Sequence, residues 1–150
     1  MSALLGFLHF VAAFGIAAVV FLEWQTMSPA PTLADARRLQ ACDRWYGVFA
    51  ALVLVVGFLR VMYFEKGREF YLGNPVFHAK IGLFLVVGLL SIYPTIRFIR
   101  WRAQTRQGAA PAVSRREHDL IMLMLRAQMV GLVSIVLCAS LMARGIGLRG

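Results

Sequence analysis

The sequence predicts an all-α integral membrane protein folded as a four-helix up-down bundle. Two observations carry this. Hydrophobic residues make up 60% of the 150-residue chain and charged residues only 15%, more apolar surface than a soluble domain of this length can hide. The apolar residues also fall into four long runs, roughly 4–22, 46–64, 77–98 and 120–143. Each is long enough to cross a hydrocarbon core of about 30 Å at about 1.5 Å rise per residue. The chain 1–150 is expected to form one membrane domain.

The elements follow in order. The first run lacks the basic start and small-residue cleavage site of a signal peptide, so it is expected to stay as a helix. Thr32 and Asp35 stand in capping-box register, opening a helix that carries Arg37, Arg38 and Asp43 along one interface into the second span. Gly67, after Glu65 and Lys66, suits a C′ glycine at the far end of that span. Asn74-Pro75 supplies an N-cap and a first-turn proline for the third helix. Pro94 should kink that helix near its other end. Residues 104–113 read as a linker, and Gly145 closes the fourth helix. Trp24, Trp45, Tyr46 and Trp101 mark one interface; Tyr63, Phe70, Tyr71 and Phe77 mark the other.

Basic residues outnumber acidic ones, 16 against 7. Their distribution speaks for topology rather than nucleic acid. Arg37, Arg38 and Arg44 flank the first connection, and Arg97, Arg100, Arg102, Arg106, Arg115 and Arg116 flank the third. Positive residues favour the cytoplasm, which puts both termini and the middle loop outside. The arginines then meet anionic lipid. Cys42 and Cys138 are expected at opposite depths, too far apart to bridge.

Ionisable groups inside a span are costly and therefore candidates for function. His9 lies about 9 Å into helix one on a face with Leu5, Ala13 and Ile16, and Glu23 returns to that face near the other end. His78 opens helix three, where the helix dipole disfavours imidazolium and leaves the neutral, ligating ring. Helices one and three can sit on a bundle diagonal, so His9 and His78 are a candidate pair for haem iron or another metal. His78 is the shallower, which makes Lys80 a substitute ligand or a propionate partner. Arg60 ends a stripe of Tyr46, Ala50, Val53 and Gly57 and can grip a propionate, or pair with Glu65 or Glu69. Arg126 is expected to pair with Glu23 or Asp43. His118 reads as a solvated interfacial residue.

Residues 42–102, CDRWYGVFAALVLVVGFLRVMYFEKGREFYLGNPVFHAKIGLFLVVGLLSIYPTIRFIRWR, resemble an uncharacterised bacterial family of four-helix inner-membrane proteins, a domain of unknown function. The terminal MARGIG and the His9–Glu23 spacing resemble it too. A more distant likeness is to HemJ-type membrane protoporphyrinogen oxidases, which bind haem b through an early histidine and a later His-x-Lys. Here those positions are His9, His78 and Lys80. FGIAAVVFLEW lacks the Trp-x-Ala-Gly and Leu-Pro-Arg elements of that family, so the likeness implies haem more than the oxidase reaction.

The leading expectation is a small bacterial inner-membrane haem b protein with a redox role, serving a quinone or a porphyrin. His9 is one ligand, His78 or Lys80 the other, and Arg60 a propionate partner. The alternatives are a cofactor-free interaction or assembly protein, and a small transporter built as a homo-oligomer on Glu23, Asp43 and Arg126.

Overall fold

A computed structural model describes residues 2–64 and 73–145. The expected C′ glycine Gly67, the belt residues Phe70 and Tyr71, and the charges Glu65, Lys66, Arg68, Glu69 and Arg149 lie outside the described residues. The described chain runs α1 (Ser2–Thr26), α2 (Leu33–Leu59) with a π-helical turn at Arg60–Phe64, α3 (Pro75–Arg100), α4 (Arg102–Arg106) and α5 (Arg115–Ala143). Four stretches are long and apolar enough to cross a membrane: Ala3–Thr26, Leu33–Met62, Pro75–Arg106 and Arg115–Ala143.

The caps form as their residue types require. Thr32 accepts from the Asp35 N–H at 3.1 Å, and the Asp35 carboxylate accepts from the Thr32 N–H at 3.0 Å. This box starts a helix that runs unbroken into the bilayer, so the interfacial helix and the second span are one element. Asn74 accepts from the Val76 N–H at 2.9 Å, with Pro75 in the first turn of α3. The helix continues past the fully buried Pro94. Gly145 takes φ 75° after α5, a left-handed cap open to glycine, and its N–H donates to Met142 at 3.0 Å.

The four long helices alternate in direction. His9 meets Gly57 and Gly15 meets Phe49, which fixes α1 antiparallel to α2; Val87 against Gly131 and Arg97 against Glu117 do the same for α3 and α5. These are the two tight pairs, joined through α1–α5 and α2–α3, so α1 and α3 stand on a diagonal. Large apolar side chains cover the outside, among them Phe7, Phe14, Phe58, Leu89, Val130 and Val133. In water such a surface would aggregate; in lipid it costs nothing.

Packing is uneven along the bundle axis. The core lies toward the end that carries the arginines, the basic end, where Ile16, Val20, Leu39, Phe98, Trp101, Ile121 and Leu125 interlock. Past Gln128, no described residue of α5 is buried. Glu117 closes the basic end. It sits in the first turn of α5, capped by Ser114, and its carboxylate accepts from both Arg97 and the Trp101 indole N–H, the latter at 3.1 Å.

Close helix approach depends on glycine at named points. A Cβ on Gly131 would lie 2.5 Å from Val87 Cγ2, whereas one on Gly82 would meet nothing within 4 Å. Gly131→Val should therefore lower stability in detergent by about 1–3 kcal/mol through overpacking. Gly82→Val should leave the thermal midpoint nearly unchanged. Equal losses in the two variants would show that the α3–α5 contact is not the cause.

Candidate functional site

Two polar centres emerge, one near each end of the bundle. The end remote from the arginines holds His9. Its half-buried ring lies over Gly57, where an added Cβ would come within 3.2 Å of the imidazole Cε1. One turn further out, the Arg60 guanidinium carbon approaches Gly6, 4.0 Å from where a Cβ would stand. His9 and Arg60 thus share one α1–α2 seam, and Arg60 opens the π-helical turn. Such turns recur at functional sites because they re-aim side chains.

His78 is not drawn into that seam. It is exposed on α3, and the α1 and α3 backbones stay more than 8 Å apart. The α2–α3 register is set where Thr95 meets Asp43. Continued outward, it brings Lys80 level with Gly57 and leaves His78 about 3 Å shallower. Lys80 is half-buried. The depth difference expected between His9 and His78 therefore recurs, and Lys80 stands nearer the level of His9. Among the described residues, no group of three or more His, Cys, Asp or Glu is gathered as a metal-ligand set.

The second centre lies toward the basic end and draws on α1, α2 and α3, with Gln128 of α5 buried deeper in the span. Glu23 of α1 is 4% exposed, and its Oε1 has no hydrogen-bond partner. Asp43 of α2 lies close enough for its charge to act on Glu23, and it accepts a hydrogen bond from the Thr95 hydroxyl of α3. Tyr46, the next turn along α2, faces Ser91 of α3 and senses both carboxylates. Gln128 of α5 is 1% exposed, with neither side-chain amide atom hydrogen-bonded. It sits about 16 Å along α5 from Glu117, well inside the span.

The expected partner of this layer is absent from it. Arg126 is exposed and does not pair with Glu23 or Asp43. The reason is helical phase: Ile121, Leu125 and Gln128 take the inward face, and Arg126 follows Leu125 by one residue, about 100° away. The cations near Asp43 are instead Arg44 and Arg102. Gln128 was not singled out from the sequence, although its spacing from Leu125 and Ile121 marks the buried stripe. Glu117 was missed too; the Ser-x-x-Glu spacing at 114–117 was its available signal.

Two clefts accompany these centres. One, about 430 Å³, is apolar and lies between α2 and α3 beside Tyr46, Ala50, Leu54, Phe84, Gly88 and Ser91. The other, about 310 Å³, is polar and lies at the basic end. Neither is lined by His9, Arg60, His78 or Lys80. Cys42 is buried and Cys138 half-buried, and both are free thiols. His118, half-buried, contacts the neighbouring Asp119 at 3.1 Å.

No curated protein and no solved structure matches the chain, so the HemJ likeness gains no support. A family model described as a predicted membrane protein, DUF2214, matches residues 1–147. The sequence resemblance to an uncharacterised membrane family is thereby borne out, and the chain belongs to the DUF2214 family of predicted membrane proteins.

Proposed function

We propose that this membrane protein binds and passes protons through the Glu23–Asp43 layer, either alone or coupled to a small solute. One observation carries the reading: a carboxyl group, 4% exposed, lies within a membrane span with an unpartnered oxygen beside a second carboxyl. Burying one charge in hydrocarbon costs several kcal/mol, and two unneutralised carboxylates side by side cost more. A proton held between them removes that cost. The groups facing the pair are Cys42 and Tyr46, with Arg38 beside Cys42 and with Arg44 and Arg102 beside Asp43. Gln128, deeper on α5, offers a donor and an acceptor for a water chain continuing into the span. The positive-inside rule supports an orientation with the basic end in the cytoplasm and both termini periplasmic, in a bacterial inner membrane. Four helices leave little space for a pore, so a homo-oligomer is the natural form for solute passage.

Reconstituted protein should carry protons into vesicles loaded with a pH-sensitive dye under an imposed potassium diffusion potential. Glu23→Gln should reduce the flux about a hundredfold or more, the scale expected for losing one proton-transfer group. Arg126→Gln should leave it within about twofold, because that side chain faces outward. Wild-type flux no faster than protein-free vesicles would sink the proposal.

A second reading, a haem b site with a redox role toward quinone or porphyrin, is favoured by one observation. His9 and Arg60 lie one turn apart on the same seam, a ligand beside a cation suited to a propionate. Lys80 or His78 would supply a second axial group from α3. Purified protein supplemented with haem should then give a Soret band that His9→Ala abolishes. If Lys80 rather than His78 is the second ligand, Lys80→Ala should shift the reduced spectrum and His78→Ala should not. A spectrum unchanged by His9→Ala would exclude this site.

A further inference from the structure

We propose that the polar cleft at the basic end is a binding site for a phosphate group. It is lined by Arg37, Gln40 and Arg44 of α2 and by Arg102, Thr105 and Arg106 of α4. On α2 the three residues recur at spacings of three and four, so they share one helical face. That face looks onto α4 across about 310 Å³, on the order of ten water volumes.

The floor of the cleft is already built. Gln40 and Thr105 are 6% and 4% exposed and hydrogen-bond to each other at 3.3 Å. Gln40 also donates to the Phe98 carbonyl at 3.2 Å, and Arg37 donates to the Thr105 carbonyl at 3.4 Å. The two bonds to Thr105 fix α4 against α2 across more than sixty residues of sequence. Four arginines therefore line a cleft whose polar base is held by hydrogen bonds. Asp43 is the carboxylate near them, acting on Arg44 and Arg102 while bonded to Thr95. Glu117 is committed to Arg97 and Trp101. One carboxylate against four cations leaves the cleft strongly positive, and like charges held together favour a multivalent anion. Guanidinium forks match phosphate oxygens in pairs, which disfavours chloride, and four cations together favour a multiply charged phosphate over a single carboxylate. The cleft lies at the end of the bundle where lipid headgroups stand, so an anionic phospholipid and a soluble phosphate ester share the chemistry the site recognises. This inference does not rest on the proton-binding reading.

The test uses delipidated full-length protein in an uncharged detergent. Native mass spectrometry would measure retention of phosphatidylglycerol and cardiolipin against phosphatidylcholine. Thermal shift would measure stabilisation by pyrophosphate. Three doubles are compared: Arg37→Gln with Arg106→Gln, Arg44→Lys with Arg102→Lys, and the off-cleft control Arg38→Gln with Arg116→Gln. Helicity and elution volume confirm that each is folded. The Lys double keeps the charge facing Asp43 and removes only the fork, so it remains informative should the Gln double fail to fold.

Wild type should bind one probe selectively, and both cleft doubles should weaken it about tenfold, with the control double within about twofold. Selective retention of anionic lipid identifies the headgroup as the source. Stabilisation by pyrophosphate without lipid selectivity identifies a soluble ester. Binding of neither probe, or equal loss in cleft and control doubles, overturns the site.

Discussion

Hydrocarbon offers no hydrogen bonds, and the rest of this structure depends on that constraint. Each backbone group must be satisfied within its own helix, which leaves four long helices as the available form. Each polar side chain must find a partner on another helix, reach an interface, or stay costly. The partners found here are what hold the bundle in register. Glu117 takes Arg97 and Trp101 at the Ser114-capped start of its helix, tying α3 to α5. Gln40 takes Phe98 and Thr105, tying α2 to the far end of α3 and to α4. Asp43 takes Thr95 and sets the α2–α3 register. All three networks lie toward the basic end, and so does the apolar core.

The two halves of the bundle therefore differ in kind. At the basic end, side-chain networks and interlocking apolar residues over-determine the geometry. In the other half, His9 over Gly57 and Val87 over Gly131 mark points where a glycine lets helices come close. Packing of that sort is driven by van der Waals contact, which is weaker and falls off quickly with separation. Gln128 sits at the boundary, the last buried residue of α5 before the packing thins.

The fold class and caps were legible in the sequence because they are local. Thr32 with Asp35 and Asn74 with Pro75 announce helix starts within four residues, and an apolar run long enough for a bilayer leaves little alternative. The site was legible only in part. His9, Glu23 and Asp43 stood out as ionisable groups in apolar surroundings. Their partners did not, because depth can be counted along a helix but azimuth must be phased against every neighbour. Counted along its helix, Arg126 was expected at the depth of Glu23; it points outward, while Gln128, two residues on, points in. The arginine cleft was hidden for another reason. In sequence, Arg37, Arg44, Arg102 and Arg106 are four members of a basic population that topology alone explains. It is the return of α4 against α2, through Gln40 and Thr105, that separates them from Arg38 and Arg116.

Asp43 links the two polar regions. Its charge acts on Glu23, and the Arg44 and Arg102 guanidiniums act on it, so both regions draw on its charge. Those two cations stabilise Asp43 as an anion. A phosphate in the cleft would turn part of their field toward itself and leave Asp43 less well compensated. A proton between Asp43 and Glu23 would then be held more tightly. Linkage makes the effect reciprocal: whatever an anion in the cleft does to proton affinity, proton binding must do to anion affinity, by the same factor. The sign follows from charge alone, since adding a negative group to the basic end favours a proton nearby and adding a proton favours the anion. The coupling fades if Arg44 and Arg102 lose their charge, and it survives their replacement by lysine to the extent that position rather than fork geometry carries it.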